Sequence, residues 1–208
     1  MSANRIQKLE LENQSIYYWF CSHSSDALRK EITLSEEEVV MFTGFTHERR
    51  RKEFLAVRVL LKAFSGHEKI YYDTNGRPFL KSGKKISVSH SHGVVMLGVC
   101  NSEIGVDVEK ISPKIERIKH KFLNDLEFQW YNSLETLTLI WSVKEAIFKL
   151  YSKIVFLEFA KDICVIELSQ NEEPSFVRVK VLKSGFENEF SLGYFKKEGF
   201  IFTFTLID

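Results

Sequence analysis

Cysteine is scarce and odd in number: Cys21, Cys100 and Cys164 have no metal-ligand spacing. This excludes a disulfide-stapled miniprotein and predicts reduced thiols. The longest unbroken apolar stretch runs over residues 94–100 and includes Gly98, whereas a membrane-spanning helix needs roughly 20 apolar residues. No membrane association is expected. The opening residues, MSANRIQKLELENQ, lack the apolar core of a secretory signal, so a cytoplasmic protein is expected. Charge of one sign is not in excess, with 29 Lys and Arg against 28 Asp and Glu. That balance gives no global field for nucleic acid or an anionic membrane, and no nucleic-acid partner is expected. No linker is rich in Pro, Gly or Ser, so any two halves should pack as one body.

What remains is an ordinary globular composition, 44% hydrophobic and 27% charged over 208 residues, enough for one domain of about 200 residues or two of about 100. Residues 16–21 have a strand-like pattern. Ser35 with Glu38 has the spacing of a capping box opening a short helix, and Thr46 is placed to cap a second. In that second helix Phe54, Val57, Leu61 and Phe64 share an apolar face, while Arg51, Arg58 and Lys62 share a basic one. Over residues 47–62 six Arg or Lys stand against two Glu. YYDTNGRPFL predicts strand, turn and strand about Asn75-Gly76. Strands are expected over 85–89, 94–100 and 104–109, a helix from Pro113 through Ile115, Ile118 and Phe122, and a cap at Asn124 with Glu127. A long helix is expected over 134–151, followed by three antiparallel strands in the tail.

Asp107 and Glu109, two apart on a strand, point to one face. Either both are solvated, or a hard cation such as Mg²⁺ compensates their repulsion. Glu145 and Lys149 have the spacing of an ordinary helical ion pair, and Trp141 that of a core residue. ISVSHSHG, residues 86–93, places two His and three Ser at a strand end. It reads as a polar turn, or with His90 and His92 as ligands of a transition metal. Arg49, Arg50, Arg51, Lys52 and Arg58 fit a solvated helix face, and Arg77 fits an exposed turn.

Together these segments resemble the 4′-phosphopantetheinyl transferases of the single-chain, surfactin-synthetase-activating type. GRPFL is similar to the family's Gly-Lys-Pro segment, and ISVSHS to its Phe-Asn-(Leu/Ile)-Ser-His-Ser. IGVDVE is similar to Gly-(Ile/Val)-Asp-(Ile/Val)-Glu, and WSVKEAIFK to Trp-Ser-x-Lys-Glu-(Ala/Ser)-x-x-Lys. The last two, about 36 residues apart, are the specific ones. Departures are Ser87 for Asn, Arg77 for Lys, and Ser152 and Ile154 for glycines.

The resemblance implies an α+β fold of two similar halves related by a pseudo-twofold axis, each a helix on an antiparallel sheet, with residues 1–103 and 104–208 enclosing coenzyme A. It implies transfer of 4′-phosphopantetheine from coenzyme A to a serine of an apo acyl or peptidyl carrier protein, releasing 3′,5′-ADP. Asp107, Glu109 and Glu145 would hold Mg²⁺. Glu145, Lys149 and Asp107 would be catalytic, and Arg58, Arg77, Ser89, His90 and Lys149 would bind coenzyme A. A monomer is expected. The rivals are a transition-metal hydrolase built on His90, His92 and Asp107, and a non-catalytic coenzyme A-binding module.

Overall fold

The structure is a computed structural model that describes residues 5–66, 68–74, 76–151, 157–169, 175–183 and 185–207. It divides into two compact units, Met1–Asn101 and Ser102–Asp208. Both are α+β, and each packs an 18-residue helix on an antiparallel sheet.

In the first unit, strands β1 (Gln7–Glu10) and β2 (Gln14–Phe20) lead to helices α1 (Ser25–Glu31), α2 (Glu36–Gly44) and α3 (Glu48–Ser65). A short hairpin, β3 (Tyr71–Tyr72) and β4 (Pro78–Phe79), precedes β5 (Lys85–Ser91) and β6 (Val94–Cys100). The main sheet runs β1-β2-β6-β5, with β5 at its edge. The capping box of α2 forms as the sequence predicts: Ser35 Oγ accepts from the Glu38 N–H, and the Glu38 carboxylate accepts from the Ser35 N–H.

Two expectations for α3 are corrected. Its N-cap is His47 rather than Thr46, and no side chain caps it. Instead, the Glu48 carboxylate in its first turn accepts from the Ser25 N–H and hydroxyl, tying α1 to α3. The basic stripe is interrupted, because all nine residues Glu53–Leu61 are buried, Arg58 among them. Packing of α1 and the sheet around α3 encloses a face that helical periodicity alone assigns to water. Gly76 adopts φ 75° in the β3–β4 turn, as the Asn-Gly signal requires; Asn75 lies outside the described residues.

The second unit starts with β7 (Val106–Lys110), followed by 3₁₀ segments Pro113–Lys121 and Glu127–Gln129, then α4 (Leu134–Tyr151) and the short α5 (Phe159–Asp162). Strands β8 (Ile163–Ser169), β9 (Phe176–Lys183), β10 (Phe186–Lys197) and β11 (Phe200–Thr205) complete a sheet of order β7-β11-β10-β9-β8. Residues 134–151 form the long helix as expected. The segment after Pro113 is 3₁₀ rather than α: Ile115 and Ile118 pack against the core, but none of its residues is buried. Asn124 and Glu127 do cap each other reciprocally, at 2.9 and 3.0 Å, but they open only a 3₁₀ turn. Helix α4 has its own cap, with Ser133 Oγ accepting from the Thr136 N–H. Ser152 and Ile154 lie outside the described residues. No helix among the described residues is long and apolar enough to cross a membrane.

Candidate active site

Strand β7 and helix α4 meet at unusually close range. A Cβ added to Gly105 would lie 2.0 Å from the carbonyl oxygen of Ala146, so only glycine lets the chain pass here. Two residues on, Asp107 is 2% exposed beneath α4. Ser142 Oγ donates to its Oδ2 at 2.8 Å, and Lys149 Nζ donates to its Oδ1 at 2.7 Å and to the Val106 carbonyl at 3.1 Å. Thr203, which faces Asp107 across the β7–β11 ladder, lies 2.9 Å from Ser142 Oγ. Thr203 Oγ1 also donates to the Ser142 carbonyl at 3.2 Å, so both oxygens of Ser142 lie within its reach. Two donors, Ser142 Oγ and Lys149 Nζ, thus converge on one buried carboxylate.

Glu109, on the same face of β7, accepts from Trp141 Nε1 at 3.1 Å. Trp141 also packs edge-on against Phe122 and tilted against Phe159, so it is both a packing residue and a hydrogen-bond donor. Glu145 completes the acidic group. Burial raises its pKa to about 7, Asp107 and Glu109 push in the same direction, and Lys149 opposes them. A half-buried carboxylate beside two others is poised either to hold a proton near neutrality or to share a cation. The donors are oxygens, which suit a hard dication. Among the described residues, no group of three or more His, Cys, Asp or Glu side chains is already arranged around a metal position; Lys149 compensates Asp107 instead.

Lys144, next to Glu145, turns away from this face. It is 0% exposed and donates to the Phe122 carbonyl and Glu127 Oε2, each at 2.6 Å, and to the Phe159 carbonyl at 3.0 Å. Glu127, also fully buried, accepts from the Val165 N–H at 2.8 Å and the Asn124 N–H at 3.0 Å. Burial lowers the Lys144 pKa despite the attraction of Glu127. The pair fixes α4 against the segments on either side of it.

The basic candidates lie in the first unit. Arg58 Nε donates to Glu38 Oε1 at 2.9 Å and Nη1 to the Phe54 carbonyl at 3.0 Å, with the guanidinium stacked on the Phe54 ring. It joins α2 to α3. Arg77 is half-buried in the β3–β4 turn, where its N–H donates to Asp73 Oδ1 at 2.9 Å. Ser89 and His90 are consecutive on β5 and therefore point to opposite faces of this edge strand. His90 Nδ1 stands 3.5 Å from Glu53 Oε2 on α3. His92 follows the strand with φ 46°, its Nδ1 3.1 Å from Ser91 Oγ. Beside them a cavity of about 370 Å³ is lined by residues including Cys21, Arg49, Lys52, Glu53 and His92. Burial pushes the Cys21 thiol up, which keeps it protonated and unreactive.

Residues 103–205 match the model of the 4′-phosphopantetheinyl transferase superfamily. A 4′-phosphopantetheinyl transferase, gsp, of Aneurinibacillus migulanus is 26% identical over 99 residues, covering 44% of this chain and 42% of that relative. The chain thus spans less than half of that relative in the match. Asp107, Glu109, Glu145 and Lys149 all fall within the stretch that matches the transferase superfamily; Arg58, Arg77, Ser89 and His90 fall outside it.

Sequence reasoning overlooked Ser142, Lys144 and Gly105, although all three lie inside its two most specific motifs. Their signal was a fixed residue type with no assigned chemistry. Thr203 left a fainter trace, a hydroxyl in the otherwise apolar FIFTF run of β11. Glu53 gave none, because a single acidic residue in a charged segment is usually solvated, and Glu127 was legible only as the capping partner of Asn124.

Proposed function

We propose that this protein is a Mg²⁺-dependent 4′-phosphopantetheinyl transferase that uses coenzyme A as donor and a carrier-protein serine as acceptor. The observation that carries the reading is the Asp107–Glu145–Lys149 cluster, a buried and partly compensated carboxylate group lying in the stretch that matches the transferase superfamily. Asp107, Glu109 and Glu145 would hold Mg²⁺, which when bound supplies positive charge to the diphosphate.

The chain's own residues do the rest. Glu145, in the same acidic group, would accept the serine proton, directly or through a water. The freed serine oxygen forms a bond to the β-phosphorus of coenzyme A. The bond from that phosphorus to the bridging oxygen breaks, and 3′,5′-ADP leaves with the electron pair. Lys149, already anchored on Asp107 and the Val106 carbonyl, offers its ammonium to the leaving phosphate. Asp107 keeps that ammonium in place, and Ser142 with Thr203 keeps Asp107 in place. Arg77, Ser89 and His90 are assigned to coenzyme A phosphates and neighbouring groups. Arg58 is assigned there too: its Nε and Nη1 are held by Glu38 and the Phe54 carbonyl, while its Nη2 has no hydrogen-bond partner among the described residues.

Intact-mass spectrometry of an apo carrier protein, incubated with this protein and coenzyme A with and without Mg²⁺, tests the reading. A metal-dependent gain of one phosphopantetheine is expected. No gain on fatty-acid or peptidyl carriers, with coenzyme A still bound, would leave a non-catalytic module. The hydrolase reading gains no support, since His90 is turned to Glu53 and His92 to Ser91.

A further inference from the structure

Glu53 is 7% exposed in the middle of α3, a costly place for a carboxylate unless a cation accompanies it. Three cationic groups surround it: Arg49 Nε at 3.6 Å, Arg50 Nη1 at 3.5 Å and His90 Nδ1 at 3.5 Å. The arginines are 73% and 54% exposed and well hydrated, so they compensate a buried charge weakly. His90, at 34%, is the least exposed of the three. Glu53 Oε2, which faces His90 and Arg50, is buried with no hydrogen-bond partner. An acceptor in that state is satisfied by a small turn of the imidazole that brings its Nδ1–H into bonding range. Elsewhere His90 faces Val95 of β6 across the ladder, and Lys52 and His92 line the adjoining cavity.

We propose that Glu53 is a positioning residue that holds His90 by its Nδ1 as an imidazolium, leaving Nε2–H to donate to a phosphate of coenzyme A. This rests on the reading above that His90 contacts coenzyme A. A neutral imidazole bonded to Glu53 through Nδ1–H would turn a lone pair toward the phosphate. The carboxylate removes that state by favouring the doubly protonated ring. The resulting row of carboxylate, imidazolium and phosphate alternates in charge. A helix-surface role for Glu53, pairing only with Arg49 and Arg50, accounts neither for its burial nor for the placement of Oε2 beside the ring.

The test uses the full chain as wild type, Glu53→Gln, Glu53→Asp and His90→Asn. Nitrogen NMR follows the His90 ring from pH 5 to 9, and calorimetry measures coenzyme A affinity at pH 6 and pH 8. In Glu53→Gln, His90 is expected to lose its proton at lower pH, and affinity at pH 8 to fall by about tenfold while nearly recovering at pH 6. Glu53→Asp should retain most of the wild-type behaviour, which separates charge from packing. His90 titrating identically in wild type and Glu53→Gln would overturn the proposal. A shifted titration with affinity unchanged in His90→Asn would overturn the assignment of His90 to coenzyme A, and the proposal's ligand half with it. Wild type that binds no coenzyme A would sink the proposed function, while NMR still decides whether Glu53 controls the ring.

Discussion

Replacing Lys144 with methionine should destabilise the second unit severely without touching the catalytic face. The ammonium is fully buried and bonded to two carbonyls and to Glu127 at 2.6–3.0 Å. Methionine fills most of the volume, so the cavity contribution is small. The dominant loss is the charge left on Glu127, itself 0% exposed, because its two backbone donors cannot replace a cation. Removing one partner of such a pair costs about 3–5 kcal/mol. With a urea dependence of about 2 kcal/mol/M, the midpoint should fall by roughly 2 M. Fluorescence of Trp130 and Trp141 reports the second unit, while Trp19 lies in the first. The double variant Lys144→Met with Glu127→Gln removes both charges and should recover at least half of the loss. A single-variant loss below about 1 kcal/mol would refute the reasoning, since Lys144 would then carry no charge that Glu127 needs.

Gly105→Ala should cost about 2 kcal/mol or more and depress transfer sharply, because its Cβ can be accommodated only by moving α4 at Ala146; a thermal scan with an activity assay checks both, and an unaltered variant would deny the close approach. Asp107→Ala should abolish phosphopantetheine transfer by intact mass while the far-ultraviolet circular dichroism stays native; near-normal turnover would remove Asp107 from the site. Glu145 makes stability depend on pH in a defined direction. Its folded pKa, about 7 against 4.5 for a solvated glutamate, means the folded state binds the extra proton, so stability falls as pH rises through that window. Glu145→Gln should therefore match wild type near pH 4 and exceed it at pH 8 by an amount on the order of 2–3 kcal/mol, with Mg²⁺ narrowing the gap by stabilising wild type. Equal melting temperatures at pH 8 without metal would contradict the burial argument.

The long elements were legible because each carries a periodic signal over many residues. Helix α4 spans the expected residues 134–151, and β6 the expected 94–100. Short elements held by tertiary contacts were not legible. Helix α1 depends on Ser24 as a cap and on Glu48, 23 residues from Ser25, for its anchorage. The exposure of Arg58 could not be read from helical phase either. Its burial follows from α2 lying against α3 through Glu38, a partner 20 residues away. Periodicity reports which residues share a face; whether that face meets water depends on what the chain brings there from elsewhere.

The same division runs through the site. Spacing along one strand and one helix was enough to place Asp107 and Glu109 on a common face and Lys149 one turn from Glu145. It did not foresee a second partner: Lys149 lies close enough to Glu145 to act on its charge, and also bonds to Asp107 across the β7–α4 contact, at 2.7 Å. The local reading was incomplete because Gly105 brings the two elements close enough for a long side chain to reach a second backbone and a second carboxylate. Residues of the WSVKE segment then divide their work by helical phase. Trp141, Ser142 and Glu145 take part in the acidic group, whereas Lys144 faces the interior and fixes the helix that carries them. A short motif can therefore carry two unlike kinds of work, chemistry on one face and anchorage on the other. Only the three-dimensional partners of each side chain separate them.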